Sequence, residues 1–258
     1  MNYVHVGKIF DSRHFMKECA LLLNWTEFEK DLFMNICCDG GLISTANLLE
    51  LFPKIKKVIA IDTRSTSKIY EHPKMEYHEA DITKSSSLAA WKGKITKFIS
   101  CYSFNGLESF DEAFENVFDL LVPNGTAALY FTLNTSYCTF LDEVIKKWLK
   151  LDGIPSYQGV PAVQKQNLDA KYFETLARKV GFDVVFCESF LQNMYFVTDA
   201  EFIAFFDVVC PRGLTTLLKE AFQKDLIDKL RKNSERNNRN KVTFKRTVLK
   251  MMLRKPVN

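Results

Sequence analysis

Apolar residues recur along the chain with two alternating periods. Short runs rich in Val, Ile and Phe, typical of buried strands, alternate with segments in which apolar residues follow helical spacing. This alternation predicts an α/β fold in which helices cover a mostly parallel sheet on both faces. The predicted strands cover residues 31–37, 57–62, 75–78, 97–102, 126–133, 182–190 and 241–253.

The clearest predicted helix covers residues 108–122, where Phe110, Phe114 and Val117 fall on one apolar face. The turn sequence Pro-Asn-Gly at 123–125 ends it and leads into the next strand. Residues 152–166 and 234–240 lack periodicity and are predicted as an exposed excursion and a polar loop. Further helices are predicted at 12–24, 44–52, 138–151, 169–180, 199–209 and 214–232.

The composition excludes several classes of protein. With 47% hydrophobic and 13% aromatic residues, the chain of 258 residues can bury a sizeable core. No secretory signal is visible, and turn residues interrupt the uncharged stretch 120–141, so neither export nor a membrane span is expected. Seven cysteines without a CxxC motif and four histidines without an HxxxH motif predict buried thiols, a cytoplasmic location and no metal site.

The net charge of +4 comes entirely from the C-terminal segment. Residues 231–258 contain ten basic residues and one acid, so this segment carries +9 and the rest of the chain −5. Such a segment could bind phosphates on nucleic acid or lipid. It has no regularly spaced aromatic residues and contains the last predicted strand. We therefore expect a solvated basic face and no nucleic-acid partner.

Candidate chemistry lies in the loops that follow the first three strands, because ligands of open parallel sheets collect at the carboxyl ends of strands. Asn35 and the glycine-containing stretch up to Gly41 precede a helix, where backbone could approach a ligand closely; a plain tight turn fits equally. Asp62 ends the second strand, roughly 20 residues further on, as an acceptor for a ribose diol or as a solvated strand-end acid. Asp81 and Ile82 follow the third strand, with an acid and an apolar group suited to an adenine.

Together these positions resemble the class I S-adenosylmethionine-dependent methyltransferases. Residues 99–107, the Phe-rich helix and residues 121–130 are similar to the fourth strand, helix and Pro-Gly-Gly turn of that family. The closer resemblance is to juvenile hormone acid O-methyltransferase-like proteins, and it covers nearly the whole chain. It implies a Rossmann-like sheet of seven strands with the last strand antiparallel, S-adenosylmethionine as cofactor, and methyl transfer to the carboxylate of a lipophilic acid.

The chain departs from this family at both halves of the site. Family members begin the cofactor loop with Asp or Glu and carry three glycines, whereas the matching positions here are Asn35, Cys37, Asp39 and Gly41. The His-Trp pair after the fourth strand is replaced by Asn105 and Gly106. The glutamine that holds the substrate carboxylate near the N-terminus is replaced by Ser12.

The resemblance assigns roles to particular residues. The cofactor would lie over Asn35, Asp39 and Gly41, with Asp62 at the ribose, Asp81 and Ile82 at the adenine, and Ser100 or Cys101 beneath the methionine portion. Ser12, Arg13, Tyr102 and Asn105 are the candidates for orienting the acceptor. No catalytic residue is assigned, because methylation of an ionised carboxylate depends mainly on proximity and orientation.

The resemblance also implies one domain over residues 1–258. Residues 1–30 would form a helical cap, 31–133 the cofactor-binding half and 134–258 the acceptor-side half.

Two other functions remain open. A nicotinamide-dependent reductase would also use Asp62, but its glycine fingerprint is missing and its Tyr-Lys pair, Tyr70 and Lys74, is interrupted by Pro73. A methyltransferase-fold protein that has lost turnover could serve as a binding or scaffold protein; the altered glycines favour it, while Asp62 and Asp81 favour an enzyme.

Overall fold

The computed structural model describes residues 3–36, 42–63, 71–136, 161–196, 216–233 and 242–257, together with positions 138, 143, 144, 147, 198, 235 and 236. Its described part contains one sheet. The strands are β1 Leu32–Ile36, β2 Lys57–Asp62, β3 Met75–Glu79, β4 Ile95–Cys101, β5 Leu121–Thr135, β6 Asp183–Phe196, β7 Glu235–Arg236 and β8 Val242–Arg254.

The strand order confirms the predicted fold class. Neighbouring strands follow the order β3-β2-β1-β4-β5-β8-β6, and the short β7 pairs with β8. Strands β1 to β5 are mutually parallel, whereas β8 runs antiparallel to both β5 and β6. The sheet is therefore Rossmann-like with one reversed strand between β5 and β6. Strand β7 lies in the segment predicted as a polar loop, because two residues are too few for a periodic signal.

The helices agree with the apolar pattern where that pattern is long. They are α1 Tyr3–Leu22, α2 Ile43–Leu51, α3 Ser85–Leu88, α4 Phe110–Leu120, α5 Ala162–Lys165, α6 Ala170–Val180 and α7 Thr216–Asn233. Helix α1 begins nine residues before the predicted residue 12. The predicted helix 138–151 lies largely, and the predicted helix 199–209 entirely, outside the described residues.

The prediction of an exposed excursion over 152–166 was wrong at α5. Val163 is buried there, and the Gln164 side chain bonds to the backbone of Thr135, accepting from its N–H and donating to its carbonyl. Residues 152–160 lie outside the described part. A four-residue helix has too little periodicity to be recognised from sequence, and contact with the end of β5 stabilises it.

Both faces of the sheet are covered, which explains why the central strands are almost continuously apolar. On one face, α4 and α6 bury a phenylalanine cluster that includes Phe104, Phe114 and Phe173. On the other, α1 and α2 cover a second cluster that includes Phe15 and Tyr130, whose rings stack with centroids 5.2 Å apart. The sheet thus forms the middle layer of a three-layer arrangement.

The predicted helix 108–122 ends at Leu120, and the Pro-Asn-Gly segment at 123–125, predicted as the turn that ends it, lies within β5. The Asn124 N–H donates to the Lys255 carbonyl and the Lys255 N–H donates to the Gly125 carbonyl, both at 2.9 Å. A Cβ at Gly125 would lie 2.8 Å from the Val122 carbonyl oxygen, so the close approach requires glycine. Pairing with the end of β8 therefore draws a turn-like sequence into the sheet.

Within the described ranges, no helix has both the length and the apolarity needed to cross a bilayer. Cys19, Cys101 and Cys138 are buried, and Cys187 is partly buried. In the same ranges, side chains of His, Cys, Asp and Glu do not gather in groups of three or more that could hold a metal ion.

A buried hydrogen bond anchors the chain after α1 to the sheet. Trp25 Nε1 donates to Thr126 Oγ1 at 3.1 Å, and both side chains are buried. Thr126→Val should leave the indole N–H without an acceptor and lower the free energy of unfolding by about 1–3 kcal/mol in urea titrations. Thr126→Ser keeps the hydroxyl and should lose only about 0.8 kcal/mol for the missing methyl group. Equal losses for the two variants would contradict a role for the bond.

Candidate functional site

The carboxyl ends of β1 and β4 lie side by side at the centre of the sheet. Ile36, the last residue of β1, pairs in register with Ser100. The chain from β1 goes on to β2 on one side, whereas the chain from β4 goes on to β5 on the other. This is the topological switch point of the sheet, where open α/β sheets form their ligand crevice.

Two bulky residues at this point have left-handed backbone conformations. Leu42, at the start of α2, has φ 55°, and Tyr102, directly after β4, has φ 66°. The other non-glycine residues with positive φ in the described ranges are asparagines, which adopt this conformation more readily. Strained backbone at bulky residues concentrates at functional sites, so this pair independently points to the switch point.

Asn35 ties the end of β1 to the first turn of α2. Its side chain is completely buried, and Nδ2 donates to Ser44 Oγ at 2.9 Å and Thr45 Oγ1 at 2.7 Å. The amide thus holds the N-terminus of α2 beside the switch point. Cys37, Asp39 and Gly41, which complete the predicted cofactor loop, lie outside the described residues.

Ser100 and Ser103 differ in how their hydroxyls are used. Ser103 Oγ donates to the Ile36 carbonyl at 3.1 Å and links the segment after β4 to the end of β1. Ser100 is buried, and its Oγ has no hydrogen-bond partner in the described part of the chain. Because most buried hydroxyls have a partner, this one makes Ser100 a candidate for contact with a ligand. Cys101, predicted as an alternative to Ser100, is buried in the apolar cluster beneath α1.

Asp62 stands at the carboxyl end of β2, in register with Glu79 of β3. Asp62 is buried, with 4% of its surface exposed, whereas Glu79 is exposed to solvent. The Asp62 carbonyl accepts the Ala80 N–H at 2.9 Å, which fixes the chain leaving β3. Of the two strand-end acids, only Asp62 is enclosed.

Asp81 and Ile82 follow β3 closely. Asp81 Oδ1 accepts from the Thr83 backbone N–H at 3.0 Å and the Thr83 hydroxyl at 2.7 Å, and Lys84 lies 3.7 Å from Oδ2. Burial raises the pKa of Asp81, but the Thr83 bonds and the Lys84 charge outweigh it and lower the pKa. Ile82 is buried in the phenylalanine cluster. The carboxylate is thus held in its own turn by one oxygen.

Three of the predicted acceptor residues lie in two different places. Ser12 Oγ accepts from Asn47 Nδ2 at 2.8 Å, and Arg13 pairs with Glu50 at 2.5 Å, so both residues join α1 to α2. Asn105 lies in a short 3₁₀ turn after β4, and its Oδ1 has no hydrogen-bond partner among the described residues.

Tyr102, the fourth, belongs to a polar cluster that sequence reasoning missed. Its hydroxyl donates to Asp11 Oδ2 of α1 at 2.7 Å, and Arg246 of β8 pairs with the same oxygen. Arg246 Nε donates to Gln192 Oε1 of β6 at 3.0 Å, and Gln192 Nε2 donates to the Tyr130 hydroxyl at 3.1 Å. Asp11 and Arg246 are 235 positions apart, so no local pattern could connect them.

The protonation of this cluster follows from its surroundings. Burial raises the pKa of the Tyr102 phenol far above its ordinary value; the Arg246 charge opposes the shift, while Tyr130 and Asp11 add to it. Burial raises the pKa of Tyr130 in the same way. Both phenols therefore keep their protons near neutral pH, and Tyr102 acts as a hydrogen-bond donor to Asp11.

This chain is similar to known proteins in its structure but not in its sequence. No family model matches the chain, and no curated protein matches it. Several solved structures, in contrast, have a similar fold. A Bacillus halodurans protein described as a candidate methyltransferase is similar over 93% of this chain and 99% of its own, with TM-score 0.59 and 16% identity.

The chain has a methyltransferase fold. It is also similar to Haemonchus contortus phosphoethanolamine N-methyltransferase 2 bound to S-adenosyl-L-methionine, over 95% of this chain and 52% of that one, with TM-score 0.52 and 11% identity. The cyclase SpnF is similar as well, over 94% and 82% of the chains, with TM-score 0.54 and 11% identity. At such identities the likeness shows the fold alone, and the function has to be argued from the site.

Ser100 near the end of β4 and Ser103 just after it give a test that needs no ligand. Ser103→Ala removes a hydrogen bond and should lower the free energy of unfolding by about 0.5–1.5 kcal/mol. Ser100→Ala removes a buried hydroxyl without a partner, so the free energy of unfolding should stay unchanged or rise. Urea titrations of both variants measure the difference. A loss at Ser100 as large as that at Ser103 would show that the Ser100 hydroxyl is bonded within the protein.

Proposed function

We propose that this protein is an S-adenosylmethionine-dependent O-methyltransferase that acts on a lipophilic carboxylic acid. The observation that carries the proposal is the enclosed Asp62 carboxylate at the end of β2, beside the switch point of a sheet with methyltransferase strand order. A buried carboxylate at this place suits a ligand that offers two adjacent hydroxyl donors, as a ribose does. The resemblance to juvenile hormone acid O-methyltransferase-like proteins suggests the class of acceptor.

The described residues fit the cofactor at three points. Asp62 would accept hydrogen bonds from the ribose hydroxyls. Ser100 Oγ, buried and without a described partner, would bond to the methionine portion next to the end of β1. Asp81 Oδ2 has a described contact with Lys84 at 3.7 Å. This oxygen would accept from the adenine amino group above Ile82. Asn35, Asp39 and Gly41 would complete the cradle at the start of α2.

When bound, the cofactor supplies an electrophilic methyl group on a sulfonium. The protein then has to hold the acceptor oxygen in line with that group and to exclude water, which accounts for most of the rate in such a transfer. Tyr102 and Asn105, in the segment that follows β4, would orient the acceptor. Ser12 and Arg13 would act through α1, since their described contacts join α1 to α2.

We further propose that residues 1–258 form one methyltransferase domain in the cytoplasm. Residues 1–30 would cap the acceptor site, residues 31–133 would bind the cofactor and residues 134–258 would shape the acceptor side. The position of α1 over the sheet face that carries Tyr130 supports the cap.

Asp62 gives the direct test of the cofactor site. Calorimetric titration with S-adenosylhomocysteine should show binding in the micromolar range. Asp62→Ala should weaken it on the order of tenfold to a hundredfold, because hydrogen bonds to a charged group are worth about 1.5–3 kcal/mol.

Glu79→Ala is the matched control, since Glu79 ends the neighbouring strand in the same register but is exposed. It should leave the affinity unchanged. Binding that is absent in the native protein at millimolar ligand, or equally weakened by both variants, would overturn the assignment of the cofactor site.

The acceptor class is tested separately. Incubation with methyl-labelled S-adenosylmethionine and a panel of fatty and isoprenoid acids should transfer label into an organic-soluble ester. Alcohols and amides with the same chains should stay unlabelled, because they offer no ionised oxygen nucleophile. If the native protein binds S-adenosylhomocysteine but labels none of the acids, the O-methylation of lipophilic acids is wrong.

A further inference from the structure

We propose that Arg246 and Tyr102 form the binding site for the acceptor's carboxylate, and that Asp11 of α1 occupies this site until the acid displaces it. This inference rests on the proposed function, which it makes more specific. Its basis is that two donors, Arg246 on β8 and Tyr102 directly after β4, already converge on one carboxylate.

The location is appropriate for an acceptor. Arg246 pairs in register with Thr135, the last residue of β5, and Tyr102 follows the last residue of β4. Both donors therefore lie at the carboxyl edge, next to the crevice at the switch point. The next residue, Ser103, bonds to the end of β1, so one short segment separates the proposed carboxylate site from the cofactor site.

The contacts show that a carboxylate fits. Asp11 Oδ2 accepts from the Tyr102 hydroxyl and from Arg246 Nη2, while Arg246 Nε is held by Gln192. The hydrogen bonds of the Arg246 guanidinium to described side chains use Nε and Nη2. An incoming acid could therefore use Nη1 and Nη2 together in the two-point geometry that arginine prefers for carboxylates.

Exposure decides which partner can leave. The Arg246 side chain is 14% exposed, and the Gln192 bond and the Tyr102 ring, 5.6 Å from its guanidinium carbon, hold it in place. The Asp11 side chain is 24% exposed and lies on the helix that covers the site. Asp11 can therefore turn towards water and recover its hydration, whereas Arg246 stays and needs another anion.

The surroundings suit an acid with an apolar chain. Val248 lies two residues after Arg246 on β8 and is fully buried. Phe190 of β6 pairs in register with Val248. The stacked rings of Phe15 and Tyr130 cover the neighbouring area. An anion site enclosed by aromatic and aliphatic side chains is chemically matched to a fatty carboxylate.

A second ion pair between the same two elements provides a matched control. Glu18 of α1 pairs with Lys250 of β8 at 2.6 Å, with side chains 32% and 15% exposed. This pair has similar burial and also holds α1 against β8. It lies further from the carboxyl edge, because Lys250 pairs with Tyr130 and Arg246 with Thr135. Breaking it loosens α1 without freeing the proposed site.

The experiment is calorimetric titration of the full chain with octanoate, with and without saturating S-adenosylhomocysteine. Asp11→Ala should bind octanoate at least tenfold more tightly than the native protein, because the internal competitor is gone. Glu18→Ala should bind it with native affinity. 1-Octanol, which has the chain without the charge, should show no gain in Asp11→Ala.

The double variant D11A/R246M leaves no unpaired charge and should therefore fold, which thermal unfolding checks, yet it should lose the tight octanoate binding. Octanoate affinity that is unchanged or weaker in Asp11→Ala, or equally raised by Glu18→Ala, would overturn the proposal. The S-adenosylhomocysteine titration is read independently. Its failure would count against the proposed function, whereas normal cofactor binding without the octanoate effect would count only against this site.

Discussion

The pairing of β4 between β1 and β5 is the constraint on which both halves of the candidate site depend. Its register places Ser100 beside Ile36 on one side and Cys101 beside Tyr130 on the other. The residues that follow β4 then make contacts in two directions. Ser103 bonds to the end of β1, while Tyr102 turns towards α1 and β8. The positive φ of Tyr102 is the local consequence of this sharp change in direction.

The reversed strand β8 supplies what a purely parallel sheet could not. Because β8 enters between β5 and β6 in the opposite direction, its first half lies at the carboxyl edge of β5. Basic side chains from a segment far along the chain are thereby placed beneath the N-terminal helix, where Asp11 and Glu18 neutralise them. The positive charge of the C-terminal segment is therefore partly internal, because Arg246 and Lys250 are largely buried against α1 and do not face solvent.

The same fold supports different chemistry in the proteins to which this chain is similar, including N-methylation and a cyclase reaction. The strand order therefore locates the crevice but does not choose the reaction. The reaction therefore has to follow from the polar side chains at that crevice. Asn35 uses its amide to hold α2, Asp62 is enclosed, and the Ser100 hydroxyl is buried without a described partner.

The sequence alone located the longer strands and the helices α2, α4, α6 and α7, because apolar periodicity persists over many residues and survives single substitutions. Strand β2 was predicted with its observed bounds, and α6 was predicted to within one residue at its start. Short elements were not predicted from the sequence, because their conformation depends on contacts with distant residues. Strand β7 pairs with β8, and Gln164 of α5 bonds to Thr135. Asp62 could be chosen as a candidate from the sequence because strand ends carry a positional signal, and Ser100 through the family resemblance. The partnership of Asp11, Tyr102 and Arg246 was decided only by the tertiary structure, because the insertion of β8 beside β5 brings together charges that no sequence spacing relates.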